Sequence, residues 1–513
     1  MKDLTGKNKP FHSALDKAAG LLKRKVGTGA EFMKELQGLG GIKQAEIDER
    51  KLADIMGLPK MTHEQFMNEL KSRPAPKIRE KMLSNPTTDE INALTEKKVR
   101  EALKDTMIDQ GLTAREIDQD LPDAMESVRG NGIWNQIFRN AYQDLNKNPT
   151  HHDKWTLPGG ERYREMLIKA PKGAEQFGGV RAHFGGEGNI LASMRLKDRT
   201  GPSGEKLLHL EELQSDWHQQ GRDKGYKGDF EPQEQMIKKR DDLYDARTAL
   251  VKEALAIEKA GGLAPQELID RIHGMNDQLR LIEERKDKAR NAVPDAPFRK
   301  NWEEMALKRL IHHAAEKGYH GIVVTPGAEQ ADRYSLAKHI NSLSYEKKGD
   351  RYNLRYIPKE GGEFRALANG LTPEDLQSHV GKEMAQKIIN KEGNRAGSTG
   401  IYTFPNIDLQ VGGEGMKAFY DRKVPNILNA IGKKHKVKTG VMKVPMPPKD
   451  SNKVLGYPGG EEYAQGRINW DEFLKQSPHA AKEIGTHLHH FPITEDMRKD
   501  ILTNGLPLYA EGG

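Results

Sequence analysis

Apolar residues recur at helical spacing through the first part of the chain. In FHSALDKAAGLLKRK, Ala14, Leu15, Ala18, Leu21 and Leu22 form one stripe, and TGAEFMKELQGLGG repeats the form with Phe32, Leu36 and Leu39 before its glycines. MTHEQFMNEL sets Thr62 three residues before Gln65, the spacing of a capping box, with Phe66 and Leu70 on the buried face. A further helical stretch runs from about Thr88 to Asn146. Residues 1–150 are therefore expected to be helices only, a small module suited to docking or packing rather than catalysis.

Near His151 the pattern changes to glycines, aromatics and alternating runs. NILASMRLKDRT and EKLLHLEEL are strand-like and joined by GPSG, which predicts a β-hairpin. Strand alternation sets Glu212 on the face of Leu208 and Leu210, and Glu211 on that of Leu207 and His209. From 233 to 290 two charged helical runs flank Gly261 and Gly262, with Leu243, Leu250 and Ile257 at seven-residue intervals. They are expected to form an antiparallel helical hairpin inserted into the mixed domain. Beyond it, Leu307, Leu310, Ile311 and Ala314 predict a helix ended by Gly318, and GIVVT a core strand. DRYNLRYIP and HKVKTGVMKVP alternate like strands, and Thr494 caps a last helix that stops at Asn504–Gly505. The expected fold class is α+β: an all-α module over 1–150, a mixed α/β domain over 151–232 and 291–513, and the inserted hairpin over 233–290.

Four stretches could carry chemistry. The hairpin and its exit hold Arg195, Arg199, His209, Glu211, Glu212, Gln214, Asp216 and His218. A carboxylate in a partly apolar site can act as general acid or base, while Arg195 and Arg199 hold a phosphate or carboxylate. In this reading Glu212, Glu211, Asp216 and His218 are the catalytic candidates. The ordinary reading makes Ser215 an N-cap, Asp216 a favourable charge at the helix start, Trp217 a core anchor and His218 a solvent residue. IDLQVGGEGMKAFYDRK turns through Gly412, Gly413 and Gly415 toward Lys417, an arrangement that can offer backbone N–H groups to an anion. It lacks the G-K-[ST] end of a Walker loop and the dinucleotide fingerprint, and a plain strand-to-helix turn explains it nearly as well. TPGAEQADRY places Gln330, Arg333 and Tyr334 after a core strand, where open α/β folds hold ligands. HLHHF brings His487, His489 and His490 together, but no third ligand is identifiable, so no metal site is assigned.

Composition narrows these options. Across 513 residues there is no cysteine, which excludes disulfides, thiolate nucleophiles and cysteine zinc sites. The 82 basic and 75 acidic residues nearly balance at +7, weak support for nucleic-acid affinity. No signal-peptide core and no membrane segment is expected, and no cofactor is identifiable.

Several longer words, LPGGERYREMLI, NILASMRLKDRT, LLHLEELQSDWHQQGR, VPDAPFRKNWEEMALKRLIHHAAEKGYHGIVVTPG, VGGEGMKAFYDRKVPNIL and ITEDMRKDILTNGLPLY, resemble in this order a module of the large polyvalent proteins of tailed bacteriophages and prophages. FHSALDKAA and TGAEFMKELQGLGGIKQAEID are similar to the helical module that often precedes it. The resemblance covers roughly residues 10–70 and 155–510. It implies packaging in the virion interior, delivery into the host cytoplasm with the genome, and other virion proteins or phage DNA as partners. It implies no reaction. This chain departs from it at Ser193, two residues before Arg195, where a histidine is expected, and in carrying the charged helical insertion.

The leading expectation is an accessory phage protein whose mixed domain binds a phosphate-bearing ligand, a nucleotide or nucleic acid, and acts on it. In that reading Arg195 and the glycine turn hold phosphate and Glu212 is the acid/base. The alternatives are a noncatalytic structural virion protein and, more weakly, an ADP-ribosyltransferase-like effector.

Overall fold

The computed structural model describes residues 1–5, 9–153, 156–170, 177–178, 184, 186–333, 340–397, 400–405, 414–448 and 450–509. The chain mixes helix and sheet, 51% and 20% respectively, as the α+β expectation requires. It divides into two compact units, one of residues 1–200, 204–322 and 493–513, the other of 201–203 and 323–492.

The first unit is built on antiparallel strands in the order Lys2–Asp3, Arg79–Ser84, Glu161–Lys169, Ile190–Thr200, Lys206–Gln214. The last two are the hairpin read from NILASMRLKDRT and EKLLHLEEL. Leu191, Ala192, Met194 and Leu196 are buried consecutively or nearly so, as are Leu207, Leu208 and Leu210, so both faces of these strands are covered. One cover is the helix Trp302–Glu316, which packs on Ile190–Thr200 and is buried from Trp302 to Ala315 except at Glu304.

Residues 1–150 are not helices only. Arg79–Ser84 pairs in register from Arg79↔Lys169 to Ser84↔Arg164, and Lys2–Asp3 pairs with its outer edge. Six residues of irregular alternation carry too little periodicity to announce a strand, and the partner lies some eighty positions away. The expected helices do form around them. Thr28 with Glu31, Thr62 with Gln65, Thr87 with Glu90 and Thr113 with Glu116 all make reciprocal capping boxes. Leu15, Phe32, Leu36, Phe66 and Leu70 close a small core, with Phe32 and Phe66 stacked at 4.5 Å.

Helices Gln233–Lys259 and Gln266–Asn291 are joined side chain to side chain by Arg240 with Glu283 and Arg247 with Asn276. Along them only Met236 and Leu268 are buried, so most of their length serves no core. At the end of the chain, helix Glu495–Asn504 starts on the Thr494 hydroxyl and stops at Gly505, whose φ of 66° favours glycine. Leu506–Pro507 then pairs in parallel with Phe11–His12. Buried Lys308 secures this return by donating to Pro507 O and Tyr509 O, each at 2.8 Å.

The second unit contains a five-stranded antiparallel sheet, ordered Arg365–Leu371, Arg351–Pro358, Ile340–Lys348, Ile401–Pro405, Asn394–Arg395. Leu343, Tyr345, Leu354, Met384, Ile388 and Phe404 form its core. Within the same unit Gly440–Val444 pairs with Thr486–Pro492. Among the described residues no helix is long and apolar enough to cross a membrane.

Candidate functional site

The hairpin candidates lie in one ladder of the first unit. Register sets Arg195 opposite Glu165 on one side and Glu212 on the other, so two carboxylates flank one guanidinium across three strands. Arg195 Nη1 is 2.8 Å from Glu212 Oε2, and both side chains are almost completely buried. Glu165 has further ties: its Oε1 accepts from the backbone N–H groups of His151 and His152 at 2.9 and 2.7 Å, and from the Tyr163 hydroxyl at 3.1 Å. Burial, then the neighbouring Glu165 carboxylate, push the Tyr163 phenol upward, so it stays a donor.

Strict alternation breaks just below this row. The register shifts between Arg195↔Glu212 and Leu196↔Leu210, leaving Glu211 as the extra residue of a β-bulge. Glu211 stays on the face of His209, as alternation expects, and joins a second, fully buried cluster, while the extra residue sets Glu212 opposite Arg195. Arg199 Nε donates to His209 Nδ1 at 2.7 Å and its Nη2 to Glu211 Oε1 at 3.3 Å, while Glu211 Oε2 accepts from Leu157 N–H at 3.1 Å. His209 Nδ1 also lies 3.2 Å from Glu211 Oε1, so the three side chains converge on one point. Arg199 also donates to Pro158 O and Leu157 O, and Lys197 to Leu157 O and Gly159 O. The network therefore clamps the loop 157–159 onto the hairpin, and such a loop clamp requires no substrate.

At the hairpin exit, past Gln214, the ordinary reading holds for Ser215 and Trp217. Ser215 Oγ accepts from His218 N–H at 3.2 Å and caps the helix Asp216–Lys224; Trp217 is fully buried and donates to Pro294 O at 2.8 Å. His218 differs from that reading: it is 1% exposed rather than in solvent. Its ring stacks on Trp302 at 5.6 Å, with Nδ1 2.7 Å from Ser215 Oγ and Nε2 3.0 Å from Pro297 O. The helix turns it back over the hairpin, where burial lowers its pKa to about 4. A neutral ring donating to a backbone carbonyl holds the 294–297 segment in place. Asp216 instead lines a small recess with Ser193, Ser215 and Asn189.

In the second unit, three separate sequence candidates come together. Gly327 begins the helix Gly327–Arg333, and a Cβ there would lie 2.4 Å from Lys417 Cα, so only glycine allows this approach. Lys417 ends the helical turn Glu414–Lys417, which includes Gly415 and runs into the π-helical segment Ala418–Lys423. That segment supplies Asp421, whose Oδ1 accepts from Gly327 N–H at 2.8 Å and lies 2.9 Å from His489 Nε2. Gln330 and Arg333 are buried in the same helix. Tyr334, Gly412 and Gly413 lie outside the described residues. His487 and His490 face Lys443 and Gly440 across the strand pair, and among the described residues no group of three side chains could hold a metal ion.

A further site escaped the sequence reading. Between the start of the chain, residues 74–77 and the turn 502–508, the first unit holds a cleft of about 830 Å³. Lys2, Lys9, Lys17 and Lys77 line it with two acids, Asp16 and Glu316. Each acid has its own cation: Asp16 lies 2.8 Å from Arg50, and Glu316 3.0 Å from Lys2. Lys17 donates to Asn504 O at 3.2 Å, a neutral partner. Lys9, Lys17 and Lys77 thus have no carboxylate among the described residues. Two polar atoms on the wall are buried without a hydrogen-bond partner among the described residues, Thr5 Oγ1 and His312 Nδ1. Burial, then the charge of Arg309, lower the His312 pKa to about 4, so its ring is neutral. The lysines near the start of the sequence were visible signals, but their meeting with residues 502–508 was not.

No family model matches the chain, and neither the curated proteins nor the solved structures include a significant match.

Proposed function

We propose that this chain is a bacteriophage accessory protein, carried in the virion or delivered with the genome, that binds a phosphate-bearing ligand. The observation that carries the binding reading is the cleft with uncompensated Lys9, Lys17 and Lys77. Three cations without acidic partners among the described residues leave a positive potential that an anion relieves. The phage origin rests on the resemblance of the quoted sequence words. In this reading the helices of the first 150 residues act as a docking module, and helices Gln233–Lys259 and Gln266–Asn291 as an inserted arm.

A noncatalytic structural role is the second reading, favoured by the hairpin. Its arginines and glutamates form pairs and hold a loop, so Arg195 and Glu212 already neutralise each other without a ligand. The test is thermal unfolding against inorganic phosphate, pyrophosphate, nucleotides and short duplex DNA. Mass action requires a ligand at about 100 times its Kd to add about 2.7 kcal/mol. A rise in Tm absent from a Lys9→Ala/Lys77→Ala variant supports binding at the cleft. No rise with any of them leaves the structural reading.

A further inference from the structure

The lysine cleft does not end at its own wall. A second recess of about 400 Å³ adjoins it, and His12 and Lys17 belong to the walls of both. The second offers more apolar side chains, Ala14, Ala18, Leu21, Leu39 and Pro507, with Lys43 as a further cation beside Lys17. Leu21 and Leu39 are 65% and 45% exposed, so these two leucines present apolar surface to an open recess. Gly40 and Gly41, both with positive φ, turn the chain away beyond Leu39 and contribute no side chain to fill the space.

From this pairing, and resting on the phosphate reading above, we infer that the ligand is a nucleotide. Its phosphates lie among Lys9, Lys17 and Lys77, and its base lies in the recess between Leu21 and Leu39. The chemistry separates this ligand from its neighbours. Free phosphate uses the cations and leaves the leucines bare. A nucleoside uses the leucines and leaves the cations uncompensated. Duplex DNA meets the lysines with its phosphates while its bases stay paired and stacked inside the helix, so none enters the recess. Only a molecule carrying an anionic and a flat apolar part on adjoining atoms occupies both, and each volume falls within the range of about 300–1,000 Å³ usual for small-ligand sites. Lys17, on both walls, marks the join where the sugar and first phosphate would sit.

The experiment is calorimetric titration of the full chain with ADP, pyrophosphate, adenosine and a short DNA duplex, repeated with Leu21→Ser/Leu39→Ser. Both leucines are exposed, so the variant keeps its fold. The expected result is ADP binding at least about tenfold tighter than pyrophosphate, the scale of burying modest apolar area, with that advantage lost in the variant. Equal binding of ADP and pyrophosphate overturns the nucleotide inference while the phosphate reading stands. Binding of duplex DNA with no response to ADP overturns it in favour of nucleic acid. Failure of every phosphate-bearing probe overturns both.

Discussion

The hairpin and the lysine cleft are both polar regions of the same unit, and they differ in how their charges are answered. On the hairpin, Arg195 meets Glu212, and Arg199 meets His209, Glu211 and two carbonyl groups, all out of water. In the cleft, Lys9, Lys17 and Lys77 face an opening with their acids already taken. A row of acids, bases and arginines in a sequence suggests an active site, yet these residue types also make a satisfied buried network. A site for a ligand shows itself by what is left unanswered.

The largest expected effect lies in the network. Glu211→Ala leaves the Arg199 guanidinium uncompensated at 2% side-chain exposure, and should cost about 3–5 kcal/mol in urea unfolding. A loss below 1 kcal/mol, roughly the worth of a surface pair, would mean that water reaches this cluster and that it is not closed.

The second test is pH. His218, His312 and His313 all have pKa values lowered, chiefly by burial, to about 4, 4 and 3. The unfolded chain therefore binds more protons below the ordinary histidine value, and folding weakens as pH falls from about 6.5 toward 4. For His218 alone the loss is on the order of 3 kcal/mol, complete near its folded value. His218→Asn should unfold with a shallower pH slope across that window; an unchanged slope would show that the ring is not held neutral.

Glu212→Gln sharpens the comparison at the other buried pair of the ladder. It removes one of the carboxylates flanking Arg195 and should cost about 1–3 kcal/mol while leaving any ligand-induced rise in Tm intact. A ligand response lost with Glu212 would restore the hairpin as the site. The smallest stability effect belongs to Lys9→Ala/Lys77→Ala, within about 0.5 kcal/mol, because neither side chain has an ion pair among the described residues to lose. The same variant should nonetheless abolish the response to ADP, measured by differential scanning fluorimetry.

Much of the local structure was legible before folding. Thr62 with Gln65, the helix after Thr494, the hairpin around GPSG and the core strand GIVVT depend on residues within a few positions of one another, and each appears where its pattern stands. The mixed α/β character and the exclusion of thiol chemistry follow from the sequence in the same way. The strand Arg79–Ser84 was illegible because pairing with Glu161–Lys169, rather than its own pattern, makes it a strand. Alternation could place Glu211 with His209 and Glu212 on the opposite face, but the bulge that sets Glu212 across from Arg195 arises only when the two strands are in register. His218 looked like a solvent residue until Trp302 and Pro297, eighty positions on, covered it. The cleft depended still more on distance, joining residues 2–17 and 77 to residues 502–508. Backbone preference and capping act within a turn or two of the chain and are written in its sequence; burial and the pairing of charges belong to whichever distant segments pack together, and only the tertiary structure selects those.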